Sequence, residues 1–367
     1  MILMLLFLLS CAHSDLDTFS PHELHDPSQN GPFDVGMTNF EFVDPRGKRL
    51  EVTVWYPASV TEQDEIAIYE PTTFSSQAYK NPQPAIQYAP MVAFSHGYFS
   101  VRVQSVFLME HLASHGFAIV AVDHPNNTMF DFDDEQTGQV LLERPDDLRY
   151  ALMEARNRSA RNEGILGKAL DRGEYAVMGH SFGSHTAMVL GGGRLDYRGF
   201  LEYCSENATE RACKYSEQIA PEDVYDHGDA DPLAITTIPM SPGLWYTFGK
   251  TGEGLSSVRN PFVLAGDKDD VLEFETEAKP TFDAMGTSKT LALFKNVGHY
   301  GFSDICGFAS FLVEECAGEE DGFAEIEITQ ERTKTYVTAW LYMTLLDEPQ
   351  YEDYIQSLSS EVQIISE

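Results

Sequence analysis

The sequence predicts an α/β protein with a mainly parallel central sheet covered by helices on both faces. Three observations predict it. Short, continuous apolar runs rich in Val, Ile, Phe and Ala recur along the chain, as strands buried on both faces require. Stretches with apolar residues at helical spacing lie between them, so strand and helix alternate. One run leads straight into Gly179-His180-Ser181-Phe182-Gly183, and a helical pattern follows at once.

In chain order, residues 51–56 alternate like a half-exposed strand, which Pro57 is expected to end. Residues 91–94 and 117–122 are buried runs. Between them, residues 104–115 carry helical spacing and stop at Gly116, placed as a C′ glycine. A helix is predicted over 147–161, and a strand over 175–178 enters Gly179 directly. Runs at 234–240, 261–265 and 290–294 continue the strands, and a helix is expected over 333–346. No internal repeat, Gly-x-Gly-x-x-Gly or Walker sequence occurs; Gly191-Gly192-Gly193 lacks the Lys-Ser/Thr of a phosphate loop.

The 367 residues are therefore read as one large domain, residues 36–347. Residues 194–232 are a polar insertion between strands, expected to lie above the sheet as a small cap. Residues 348–367 read as a peripheral acidic tail. Residues 11–35, rich in Asp, His, Pro, Ser and Gly, read as a tether. Its His13, His22 and His25 have irregular spacing, so no metal site is predicted.

The chain begins with an apolar run too short to span a bilayer, which takes about 20 residues. It suits the core of a signal peptide, residues 1–10, although the usual positive leading charge is missing. Leu8-Leu9-Ser10-Cys11 resembles a bacterial lipobox, in which Cys11 would carry the lipid and form the sole membrane attachment. The expected location is outside the cytoplasm, as a cell-envelope lipoprotein or a secreted protein. Cys204, Cys213, Cys306 and Cys316 remain, an even number that favours disulfides in an exported chain. Three connectivities are open, of which Cys204–Cys213 with Cys306–Cys316 closes the shortest loops; neither pair has zinc-ligand spacing.

Acidic residues number 58 against 24 basic ones, a formal charge of -34. Such a surface repels nucleic acid and anionic lipid headgroups. It reads as strongly hydrated and adapted to salt.

Chemistry centres on Ser181. A sharp strand-to-helix turn would force its side chain outward, with flanking glycines where no Cβ fits. The following helix N-terminus adds partial positive charge where an oxyanion would form. A serine hydroxyl needs a base, and in such sheets the acid and then the histidine follow at later strand ends. Asp267, Asp269 and Asp270 follow the 261–265 strand, and His299 follows the 290–294 strand. His185 and His227, the other histidines after the turn, are poorly placed. One oxyanion donor should be the Phe182 N–H and the other should come from the loop Ser95-His96-Gly97-Tyr98, with Tyr98 chosen. His96 reads as a structural histidine bonding loop backbone. Tyr98, Phe99, Phe182, Trp245 and Tyr300 are candidates to line a substrate pocket, Trp245 equally as core packing.

Phe94-Ser95-His96-Gly97, Leu112-Ala113-Ser114-His115-Gly116-Phe117 and Gly179-His180-Ser181-Phe182-Gly183 together resemble platelet-activating-factor acetylhydrolases and bacterial dienelactone-hydrolase-like esterases. Val54-Trp55-Tyr56-Pro57, Asp123-His124-Pro125 with Asn127-Thr128, and Gly266 with Asp269 are similar to the bacterial branch, as is the Cys pair in the insertion. The resemblance covers about residues 36–345. It implies the α/β-hydrolase fold, a Ser181–Asp269–His299 triad, and Tyr98 and Phe182 as oxyanion donors. Ser184 departs from the second glycine usual in the family, and Tyr98 from the leucine of the acetylhydrolases. The cysteine nucleophile of true dienelactone hydrolases is missing. The expected protein is a cofactor-free serine ester hydrolase acting on lipid-like, short-acyl or polymeric esters, including aromatic polyesters. An amidase with the same triad and a non-catalytic binding lipoprotein are the rival readings.

Overall fold

The computed structural model describes residues 25–69, 76–220, 230–286, 288–356 and 360–367, together with the two-residue strand Asp17–Thr18. The proposed signal segment, Cys11, His13, His22 and His227 lie outside the described residues.

Eleven strands form the main sheet: β1 (Asp34–Val43), β2 (Arg49–Ser59), β3 (Ala78–Lys80), β4 (Gln83–Pro84), β5 (Ala89–Ser95), β6 (Ala118–Val122), β7 (Leu170–His180), β8 (Ala234–Met240), β9 (Phe262–Gly266), β10 (Thr290–Phe294) and β11 (Val362–Ser366). Their order is β11-β10-β9-β8-β7-β5-β6-β2-β1-β3, with β4 paired to β2. The run from β6 through β10 is parallel, and β2 and β11 join it antiparallel at either side. This is the α/β-hydrolase strand order extended at both edges, by β3 on one side and β11 on the other.

The period of two along β5 explains the apolar runs. Val92 and Phe94 face one core with the helices α1 (Val106–Ser114) and α5 (Ile326–Leu345). Met91 and Ala93 face the other, against Leu148, Ala151 and Leu152 of α2 (Thr137–Ala160) and Ala187 of α3 (Phe182–Leu190). Both faces are dry, so no polar alternation survives. Removing one such ring, as in Phe94→Ala, would cost about 3–5 kcal/mol. Helix α1 ends where expected, with Gly116 at φ 97° just beyond it.

Three boundaries differ from expectation. Pro57 does not end β2, which continues to Ser59. Beyond Trp55 the strand no longer pairs with β6, so a missing N–H is tolerated, and the Pro57 carbonyl accepts from Ala85 N–H at 2.9 Å. Helix α2 begins at Thr137 and passes through Pro145. Its first half packs Val140, Leu141 and Leu142 on the insertion, whereas its second half packs on the sheet. The apolar stripe therefore changes partner at Pro145, and only the second half was legible. The segment read as a peripheral tail is part of the sheet: β11 pairs with β10, Leu291 opposite Ile365. Tyr351, Ile355 and Val362 are buried in the core, and this apolar spacing was masked by the acidic residues around it. Asp34 and Val35, read as the end of the tether, already belong to β1.

The insertion contributes α4 (Tyr197–Glu206) and a short 3-10 turn, Ala212–Gln218. Cys204–Cys213 and Cys306–Cys316 are the disulfides, which selects the local connectivity. Among the described residues no helix is long and apolar enough to cross a membrane.

Candidate active site

Ser181 sits between β7 and α3 at φ 56° and ψ -120°, a strained conformation that turns its side chain out of the sheet. The turn closes only on glycine. A Cβ on Gly179 would stand 2.0 Å from the Gly183 carbonyl oxygen, and one on Gly183 would stand 2.0 Å from that of Ser95. Ser184 fits beside them with its hydroxyl 2.9 and 2.7 Å from the carbonyls of Gly179 and Met240, which share its one proton.

The structure brings Ser181, His299 and Asp269 into one hydrogen-bonded chain. Ser181 Oγ lies 2.9 Å from His299 Nε2, and His299 Nδ1 lies 2.8 Å from Asp269 Oδ2. A carboxylate only accepts, so Nδ1 carries the proton and Nε2 is free to receive the serine hydroxyl. Asp269 is 5% exposed, and its Oδ1 accepts the amides of Val271 and Leu272 at 2.9 and 2.6 Å. Burial alone would push this carboxyl up, but the bonds from His299 and Leu272 hold it below the ordinary range. Asp267 and Asp270 are exposed, and Asp267 caps the Asn296 amide at 2.6 Å instead.

The amides of Tyr98 and Phe182 have no partner among the described residues, whereas Ser181 N–H is committed to the Met240 carbonyl. Both donors adjoin Ser181 across a cavity of about 690 Å³. Tyr98, Phe99, Phe182 and Tyr300 line it. Trp245 does not: its indole donates to the Thr276 carbonyl at 2.9 Å and packs edge-on against Tyr203 and Tyr246. Trp245 is half-buried at the edge of the core, and Leu244 lines the cavity in its stead. His96 bonds loop backbone, donating from Nδ1 to the Gly97 carbonyl at 2.7 Å and accepting His124 N–H at 3.1 Å. His185 is buried against Thr247.

Three residues that sequence reasoning passed over brace this arrangement. Gln104 accepts Gly97 N–H at 2.7 Å and donates to His180 Nδ1 at 2.7 Å. His180 then donates from Nε2 to the His299 carbonyl at 2.8 Å. Burial, with His299 adjacent, lowers His180 to about 3, so it stays neutral and keeps this bond. On the far side, Asp134 accepts from Tyr98 Oη at 3.1 Å and from Tyr215 Oη at 2.7 Å, tying the Tyr98 loop to the insertion. Only His180 carried a signal, its place inside the pentapeptide. Gln104 meets His180, and Asp134 meets Tyr98 and Tyr215, only through long-range folding.

Sheet order and the strained turn define an α/β-hydrolase-fold protein. The chain is similar to Cutinase 2 of Thermobifida cellulosilytica, 26% identical over 256 residues that cover 64% of this chain and 76% of that protein. Cutinase cut1 of Thermobifida fusca is likewise 26% identical over 256 residues, covering 64% of this chain and 63% of its own length. Cutinase est1 of Thermobifida alba is 34% identical over 107 residues, 29% of this chain and 32% of that one. The chain is thus a distant homologue of Thermobifida cutinases and spans less than two thirds of the fusca and alba proteins. These relatives share the expected fold without carrying the acetylhydrolase or dienelactone-hydrolase names. No protein-family model matches the chain.

Proposed function

We propose that the chain is a serine carboxylic ester hydrolase working through an acyl-enzyme. The observation that carries this reading is the hydrogen-bonded chain Ser181–His299–Asp269 beside two unpartnered amides. As Ser181 Oγ attacks the ester carbonyl carbon, its proton passes to His299 Nε2. The carbonyl electrons move onto oxygen, which accepts from Tyr98 N–H and Phe182 N–H. Asp269 remains ionised and stabilises the imidazolium. The carbon–oxygen bond to the alcohol then breaks, and the leaving alkoxide takes the proton from His299. Water, deprotonated by the same imidazole, attacks the acyl-enzyme, and collapse releases the acid and restores Ser181.

The cavity favours an uncharged, apolar acyl group. Phe99 is 49% exposed and Leu312, also on the lining, is 71% exposed, beside Phe311 at 84%. An apolar rim on so acidic a molecule suits a neutral ester surface rather than an anionic one. With the cutinase names of the relatives, this supports polymeric esters; aromatic ones are proposed on the aromatic lining of Tyr98, Phe99, Phe182 and Tyr300 alone. Lipid-like and short-acyl esters, expected from the acetylhydrolase resemblance, are the second class. The two disulfides support an exported protein.

The test is a panel of p-nitrophenyl esters of rising acyl length with a polyester film, run with wild type and Ser181→Ala. The wild type should release acid and react with a fluorophosphonate probe. Turnover that survives in Ser181→Ala, or a wild type inert to the probe, would overturn the reading.

A further inference from the structure

Behind the Tyr98 loop lies a second polar cluster that the proposed mechanism leaves unused. Arg144, on α2, is fully buried. Its Nη2 donates to the His96 carbonyl and, at 3.0 Å, to Ser95 Oγ; Nη1 donates to Asn127 Oδ1 at 2.6 Å, and Nε to Thr186 Oγ1 at 3.2 Å. The guanidinium carbon lies 4.6 Å from the centre of the Phe182 ring. Among the described residues no carboxylate pairs with it. Asp147, which attracts it at longer range, is bonded to Arg46, Lys48 and His124.

A chain of bonds runs onward from this cation. Ser95 Oγ lies 2.9 Å from His124 Nε2, and His124 Nδ1 lies 3.0 Å from Asp147 Oδ2. Since Asp147 can only accept, His124 donates from Nδ1 and receives the Ser95 proton at Nε2, which leaves Ser95 Oγ free to accept from Arg144. Serine, histidine and aspartate here repeat the order at Ser181. Ser95 and His124 have no exposure at all, so no substrate reaches them.

A buried cation without a carboxylate partner is costly, and burial lowers Arg144 to about 9. Its contacts explain its retention. One branch holds the His96 carbonyl, two residues before Tyr98; a face lies against the ring of Phe182. Each of the two open amides therefore belongs to a segment that Arg144 grips. We propose that Arg144 is a positioning residue of the oxyanion site, holding the Tyr98 and Phe182 amides in register and keeping an uncompensated positive charge behind them. The inference rests on the ester-hydrolase reading of Ser181. An oxyanion present only in the transition state feels that charge; the neutral substrate does not.

The test compares wild type with Arg144→Met and Arg144→Lys, using p-nitrophenyl butyrate turnover and the affinity of an aryl boronic acid, whose serine adduct is tetrahedral and anionic. In Arg144→Met, kcat should fall about a hundredfold with KM within about twofold, and boronate affinity should weaken in proportion. Arg144→Lys should recover part of both. If Arg144→Met does not fold, Thr186→Val and Asn127→Ala each remove one support and leave the cation; each should lower kcat several-fold at constant KM. Folded variants with unchanged kcat, or a loss confined to KM, overturn the proposal. A wild type that neither labels nor turns over instead sinks the ester-hydrolase reading, and this one with it.

Discussion

Gln104 and His180 are 76 residues apart in sequence, yet the Gln104 amide donates to His180 Nδ1 at 2.7 Å. That bond joins the Tyr98 loop, through Gly97, to the His299 loop, through the His299 carbonyl. It couples the placement of the Tyr98 donor to that of the base, alongside the bond from Ser105 Oγ to the Phe302 carbonyl at 2.8 Å. Gln104→Ala should lower kcat about tenfold to a hundredfold while KM changes little, because misplacement by a fraction of an ångström acts on the transition state. Steady-state kinetics on one p-nitrophenyl ester checks this; a change confined to KM would count against it.

Of three neighbouring aspartates, only Asp269 faces the imidazole. Asp269→Asn should lower kcat by about 10⁴, since an amide favours the wrong imidazole tautomer. Asp270→Asn, at an exposed position, should stay within about twofold. Equal losses in the two variants would contradict the assignment.

Glu277 and Glu315 are buried carboxyls. Burial, opposed by the bond from Leu244 N–H, raises Glu277 to about 7; burial, then repulsion from Asp269, raises Glu315 to about 8. Between the ordinary value near 4.5 and these raised values the folded state holds more protons than the unfolded chain. Their contribution is therefore complete at low pH and is lost as pH rises through 7 to 8. Glu277→Gln and Glu315→Gln should each flatten the fall in Tm between about pH 5 and pH 8, read by calorimetry at constant salt. A variant Tm that runs parallel to wild type would refute this.

Strand β11 covers the edge of β10 with five paired positions. Truncation after residue 347 should expose that edge and lower Tm or solubility, whereas a truly peripheral tail could be removed without effect. Thermal melting and light scattering of the shortened chain distinguish the two.

The charge of -34 leaves acidic groups facing one another across the surface. Added NaCl should raise Tm by screening that repulsion, most steeply below about 0.2 M, where the Debye length is longest. A flat or falling curve would oppose a salt-adapted surface.

Much of this protein is legible in one dimension. Apolar runs buried on both faces reveal the parallel strands, and the turn at Ser181 needs glycines that local sterics demand at fixed spacing. Chain order brought forward His299 and a set of three aspartates. The sequence by itself could not separate Asp269 from Asp270 without the resemblance, or assign Trp245 to core or pocket. Nor could it see β11 beneath its acidic residues. Those outcomes depend on which side chain faces which neighbour after the sheet twists and closes. The same is true of Gln104, Asp134 and Arg144, whose partners lie far away in sequence. Local covalent and steric rules wrote the strands and the turn into the chain; the buried polar network holding them in register exists only where distant donors and acceptors are packed away from water.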